Sequence, residues 1–246
     1  MISDYSSIPV FLFSRGERTV EFCAYCLKKL GFTNIINLNG ETSFYEKLIE
    51  FSDIAYSLND DFYIRVDADR FVFEGIFDLI DQFVKLGLDD CEGVGFDNLM
   101  NKTRHGTPHI YSNTLIEKIK SGKVEIFNSN KPESDIMKQV KNKKSINIMT
   151  NLHDYEQRPS KIINTLINRL YRNHAGHYDW DRLRRLGLST EVDAALNYYK
   201  NNESKTNCDY IGDFSKFDSN SGLIPQSEFP HLYSNYLRIY KEIKAK

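Results

Sequence analysis

Apolar residues along the chain fall into short runs separated by amphipathic stretches. Residues 9–13, PVFLF, form a run bounded by the polar SRGER, the signature of a buried strand. Residues 17–30 follow with Val20, Cys23, Ala24 and Leu27 at helical spacing, Lys28 and Lys29 in the last turn and Gly31 as a stop. TNIINL at 33–38 predicts a second strand closed by Asn39-Gly40, and 42–52 predicts a helix. DFYIRVDADRFVF at 61–73 predicts a third strand, ending in acidic residues. Residues 74–88 put Ile76, Leu79, Ile80 and Phe83 on one face of a helix that Gly87 ends. Such alternation predicts βαβ units and a mostly parallel sheet. Ligands bind such sheets at the carboxyl ends of the strands. Two of those ends are SRGER (14–18) and DADR (67–70), which are expected to face one crevice.

The pattern from 89 to 152 is mixed. GVGF, HIYS, VEIF and INIM are strand-like, whereas 114–121 and 132–140 are helix-like. Residues 154–172 and 190–200 read as helices, 201–229 as loop, and 231–245 as a last helix carrying Leu232, Tyr236, Ile239 and Ile243 on one face. No internal repeat is found. Residues 153–160 form the expected hinge between a sheet domain, 1–157, and a mainly helical extension, 158–246.

Composition narrows the classes. The chain has 246 residues with 32 Lys plus Arg against 34 Asp plus Glu, and this balance argues against a nucleic-acid protein that relies on bulk positive charge. The opening residues lack the basic and apolar regions of a cleaved signal, and no run is long enough to span a bilayer. Four cysteines are too few for a disulfide framework. Cys23 and Cys26 sit three apart on a helix and read as packing rather than as zinc or redox ligands, while Cys91 and Cys208 are isolated. The expected compartment is a reducing cytoplasm.

The strand end YIRVDADR holds the sharpest chemistry. Asp67 and Asp69 are expected on one side of the chain, where two carboxylates repel each other unless a cation relieves them. Mg2+ or Mn2+ serves this purpose, because hard cations take oxygen ligands and share them with substrate phosphates. The alternative is a solvated strand end. A HAD-type phosphatase also uses D-x-D, but in its first strand and with Thr or Val where Phe71 stands here.

Residues 8–157 resemble the GT-A class of nucleotide-sugar-dependent glycosyltransferases. The resemblance rests on the first strand with SRGER, the order of βα units, the D-x-D strand at 62–69, KPESD at 131–135 and LHDYEQ at 152–157. HDYEQ before a basic helix is similar to bacterial cell-surface polysaccharide enzymes. The resemblance implies a Rossmann-type mixed sheet flanked by helices, with a helical C-terminal extension. It also implies a nucleotide-sugar donor, a saccharide or lipid-linked saccharide acceptor, and Mn2+ or Mg2+ held by Asp67, Asp69 and His153. His174 and His177 compete with His153 for the ligand role. Ser14, Arg15, Arg18 and Asp67 are the expected donor contacts, Asp67 through the ribose or a water. Arginine beside a helix N-terminus suits phosphate, although Glu17 neutralising Arg18 is the plainer reading. Asp135 fits the place of the acceptor's general base, with Glu133 as the alternative; first-turn acidity explains both equally.

Arg158, Lys161, Arg169, Arg172, Arg182, Arg184 and Arg185 give 158–185 a positive excess. It reads as a solvated helix face, or as contact with a diphosphate-lipid acceptor or the anionic inner membrane leaflet. Two other readings stand beside the first: a sugar-phosphate nucleotidyltransferase, which lacks its glycine-rich phosphate loop here, and a glycan-binding module without turnover.

Overall fold

The structure is a computed structural model describing residues 4–40, 42–129, 132–171, 178–202, 213–218 and 222–246. Lys131, Arg172, His174, His177, Cys208 and part of the 201–229 loop lie outside the described residues. The strands are β1 (Val10–Ser14), β2 (Ile35–Asn39), β3 (Phe62–Asp67), β4 (Arg70–Val72), β5 (Asp90–Asp97), β6 (Lys102–Ser112) and β7 (Lys143–His153). The helices are α1 (Val20–Lys29), α2 (Phe44–Leu58), α3 (Gly75–Leu86), α4 (Asn113–Lys120), α5 (Pro132–Gln139), α6 (Pro159–Tyr171), α7 (Trp180–Arg185), α8 (Ser189–Asn201) and α9 (Phe229–Lys244).

The strands form one mixed sheet in the order β2-β1-β3-β6-β5-β7-β4. β1 pairs in parallel with β2 and β3, and β5 in parallel with β7. β6 runs antiparallel between β3 and β5, and β4 runs antiparallel to β7. The sheet is therefore less parallel than the first three βα units suggest, because β6 reverses directly from β5 and β4 lies antiparallel to β7.

Alternation along β1 assigns the two faces. Val10 and Leu12 point with Ile64, Val66 and Ile110 into a core shared with α1, α3 and α9. Phe11 and Phe13 point with Tyr63 and Tyr111 into a second core under α2, α4 and α5. A third cluster joins α6, α7 and α8 to Leu99. Residues beyond 158 thus divide, since α9 returns to the sheet and buries Phe229, Tyr236 and Tyr240. Gly75 permits that return: a Cβ there would stand 1.9 Å from the Met149 carbonyl oxygen, which also accepts from the Tyr240 hydroxyl.

Several elements depart from the pattern reading. Helix α2 runs on to Leu58, started by a capping box between Ser43 and Glu46 and ended by Asn59 in the left-handed region. VEIF forms no strand, and Val124 fills the second core from a loop. α6 begins only at Pro159, because Asp154 and Glu156 hold φ of 64° and 54°, outside the helical region. The run at 61–73 is two strands. Ala68 and Asp69 form a turn between them, whose Ala68 carbonyl accepts from Thr19 Oγ1 at 2.6 Å and Cys23 Sγ at 2.7 Å.

That turn dictates the shape of the sheet. Three Cα steps from Asp67 to Arg70 reach at most about 11 Å. In a flat sheet, the four strand spacings from β3 to β4 would need about 19 Å. The far half of the sheet therefore curls back over the end of β3. Irregular register on both sides of β5, around Gly93 and Val94, marks the bend. Among the described residues, no helix is long and apolar enough to cross a membrane.

Candidate active site at the carboxyl edge of the sheet

Strand direction and curl bring five chain segments to one edge. β1 ends at Ser14, β3 at Asp67, β5 at Asp97 and β7 at His153, and β4 starts at Arg70. Register aligns Asp97 and Arg70 on either side of His153. With the first turn of α6 these segments enclose a cavity of about 300 Å3, whose lining includes Ser14, Arg15, Asp67, Asp69, His153 and Lys161. The structure thus brings Asp67, Asp69, His153, Ser14 and Arg15 together.

At its centre, His153 Nε2 lies 3.5 Å from Asp69 Oδ2. On the opposite side of the ring, Nδ1 lies 3.0 Å from Asp154 Oδ2 and 3.6 Å from Asp97 Oδ2. Arg169 reaches Asp97 at 2.9 Å and Asp154 at 3.4 Å, and Arg104 reaches Asp97 at 3.1 Å. Lys161 Nζ stands 3.9 Å from Asp69 and 3.4 Å from Glu17. Burial would raise the Asp69 pKa, but the charges of His153, Lys161 and Arg70 outweigh it and hold the carboxyl well below its usual range. Burial and Arg70 act against a proton on His153, yet Asp154 and Asp69 win and raise its pKa. Burial raises the Asp154 pKa.

Asp69, His153 and Asp154 offer ligand atoms within 4.8 Å of one another. A single imidazole cannot turn both nitrogens to one ion. Asp69 shares the Nε2 side, whereas Asp154 faces Nδ1 with Arg104, so an ion here could take Asp69 and His153 Nε2 together. Asp154 is then the carboxylate that fixes the ring, as behind many metal-bound histidines. One oxygen and one neutral nitrogen suit Mn2+ or Mg2+ that keeps further positions for water and phosphate. The set fits such an ion.

Asp67 stands apart from that trio. The strand breaks after it and Asp69 belongs to the turn that follows, although both side chains line the one cavity. Asp67 Oδ2 accepts from the Thr107 hydroxyl at 2.5 Å, and Oδ1 lies 3.7 Å from Arg65. In the SRGER loop, Glu17 accepts from the Ser14 hydroxyl at 2.9 Å and the Arg15 N–H at 2.5 Å, so its charge tightens the loop rather than pairing with Arg18. Arg18 lines a neighbouring cavity instead.

Glu133 and Asp135 do not line the crevice. Glu133 lies against the second face of the sheet, 2.7 Å from both Arg65 and His109. Arg65, 1% exposed, rests its guanidinium over the rings of Phe13 and Phe44. Despite burial, the charges of Arg65 and His109 hold the Glu133 carboxyl far below its usual range, which makes it a weak base. Asp135 faces outward and accepts from Ser129 and Lys138, each at 2.6 Å. Cys23 and Cys26 are buried in the first core, and burial pushes both thiols up, as helix packing requires.

The sequence reading left Asp97, Arg104, Arg70 and Asp154 unassigned. Only Asp154 carried a local signal, its place beside His153. The others meet through pairing of β5, β6, β4 and β7, which spacing along one chain does not reveal.

No protein-family model matches the chain, and no curated protein matches it either. Among solved structures, A197 from STIV is similar at 12% identity and a TM-score of 0.47, over 57% of this chain and 82% of that one. The bifunctional IspDF from Campylobacter jejuni is similar at 13% identity and a TM-score of 0.42, over 58% of this chain and 50% of that one. S. aureus TarS 1–349 is similar at 11% identity and a TM-score of 0.40, over 92% of this chain and 78% of that one.

Proposed function

We propose that this protein is a divalent-metal-dependent glycosyltransferase that moves a sugar from a nucleotide-sugar donor to a saccharide or lipid-linked saccharide. One observation carries the reading: Asp69 and His153, from distant segments, meet at 3.5 Å on the wall of a cation-rimmed cavity at the carboxyl edge. Mn2+ or Mg2+ held by Asp69 and His153 Nε2 supplies Lewis-acid neutralisation of a diphosphate. Asp154 holds the imidazole in the orientation that presents Nε2. Lys161, Arg70 and Arg104 add fixed positive charge where a leaving diphosphate gathers negative charge. Ser14 and Arg15 border the space for the donor's phosphates, and Asp67 that for its ribose or a water. Glu133, locked between two cations, and Asp135, turned outward, receive no base role.

A thermal-shift screen of nucleotide sugars with and without Mn2+ tests the reading. Ligand that binds only the native state raises Tm. A rise that needs both components, with metal-dependent release of sugar, is the expected result. Pyrophosphate release from a nucleoside triphosphate and a sugar phosphate would instead identify a nucleotidyltransferase. Binding without turnover of any nucleotide sugar would leave a glycan-binding module.

A further inference from the structure

A second cavity, of about 470 Å3, opens beside the crevice between the SRGER loop and the first turns of α6. Arg15, Arg18, Arg158 and Lys161 line it, against the single carboxylate of Glu17. Arg15, Glu17 and Lys161 line both cavities, so the two adjoin at the Glu17–Lys161 ion pair. Among the described residues, Arg15, Arg18 and Arg158 form no ion pair, and the Nε atoms of Arg18 and Arg158 are buried without a hydrogen-bond partner. Asn164, on the same wall, buries its Oδ1 acceptor equally unpaired. The first turn of α6 does not supply the attraction, since Asp218 already accepts from the Ser160 N–H and hydroxyl.

Three guanidinium groups without a carboxylate partner make the cavity attractive to an anion, and their planar forks match phosphate oxygens. Asn164 sets a neutral amide on the wall beside those cations, and an amide exchanges hydrogen bonds with sugar hydroxyls. We infer that this cavity is a second substrate site, taking a glycosyl phosphate or diphosphate. The phosphate lies between Arg18 and Arg158 and the sugar lies along the Asn164 side of the wall. The inference rests on the proposed function insofar as it makes this ligand the acceptor; the binding site itself stands on the cavity alone. The same headgroup chemistry occurs free in solution and on a lipid.

Calorimetric titration of the full chain with glucose 1-phosphate, in metal-free buffer, tests the site. Saturable binding is expected in the wild type and, unchanged, in Asp135→Asn, because that carboxylate lines neither cavity. Arg158→Gln is expected to weaken binding about tenfold or more. Asn164→Ala is expected to remove the preference for glucose 1-phosphate over inorganic phosphate. Absence of binding in the wild type, or equal binding in Arg158→Gln, overturns the site. If Arg158→Gln also abolishes Mn2+-dependent binding of nucleotide sugar, the cavity belongs to the donor and a second site is refuted. Donor binding that fails in the wild type while glucose 1-phosphate binds refutes the proposed function alone. Flotation with neutral-lipid vesicles carrying a glycosyl diphosphate polyprenol that is lost in Arg158→Gln assigns the lipid form. Glucose 1-phosphate binding without flotation assigns the soluble form, and either result upholds the site.

Discussion

Two buried centres in this molecule use the same residue types to opposite ends. Beneath the sheet, Arg65, Glu133 and His109 meet with Asp90 and Glu92 on the face covered by α5. At the carboxyl edge, Asp69, His153, Asp154 and Asp97 meet with Arg104, Arg169 and Lys161. The lower centre lines neither cavity, and its Glu133 carboxylate, itself 25% exposed, spends its charge on two neighbours 2.7 Å away. The upper centre borders open volume, and the contacts of Asp69 are looser, at 3.5 and 3.9 Å. A histidine among carboxylates is therefore no sign of a site in itself. What separates a clamp from a candidate active centre is whether the partners are already satisfied and whether a ligand can reach them.

The comparison is broken most forcefully at Glu133. Glu133→Gln leaves Arg65 buried without its nearest carboxylate and with Asp67 alone, a loss of about 3 kcal/mol for a broken buried pair. Turnover should stay near normal at temperatures where the protein remains folded. Chemical denaturation with an assay below the midpoint measures both, and a large fall in kcat with unchanged stability would return Glu133 to the role of base. Asp69→Asn should do the reverse, lowering Mn2+-dependent donor affinity about 100-fold or more while Tm holds. Equal loss of stability and binding would make the upper centre another clamp. His153→Ala is expected to cost about 10–100-fold in metal affinity, read by Mn2+ titration.

pH sharpens the contrast. Burial would lower the pKa of His109, but the Glu133 charge and the bonds to Asp90 and Glu133 push it up to about 10. An unfolded histidine titrates near pH 6.5, roughly. The stabilisation is therefore complete below about pH 6.5 and is lost as pH rises through about 10. Wild-type Tm should decline across that window, and His109→Gln should flatten the decline; parallel profiles would show that His109 is not its source. The smallest effect is expected at Asp135. Asp135→Asn removes an exposed contact with Ser129 and Lys138, so stability and kcat should both stay close to wild type. A marked loss of kcat would restore it as the acceptor's base.

Local signals made much of this fold legible. The βα alternation of the first ninety or so residues, the apolar face of α9 and the approach of SRGER to DADR all follow from periodicity and from strands running the same way. The break inside 61–73 did not, because FYIRV and RFVF are apolar on both sides of Asp67-Ala68-Asp69 and nothing local marks a change of partner strand. β6 hid for a related reason: its first half, KTRHG, is polar and largely exposed while still fully paired with β5. Asp69 and His153 were legible as reactive types at segment ends. The roles of Asp154, Asp97 and Arg104 were not, because they depend on register between strands and on which side of one imidazole ring each group falls.

The two-residue link from β3 to β4 has a mechanical consequence. Its ends belong to opposite halves of a curled sheet, so it acts as a tie-rod of fixed length. Any motion that flattens the sheet pulls directly on Ala68 and Asp69, and the Ala68 carbonyl is fastened to Thr19 and Cys23 of the opposing half. Flexing of the scaffold is thereby resisted at the one point where displacement of a carboxylate would be felt most.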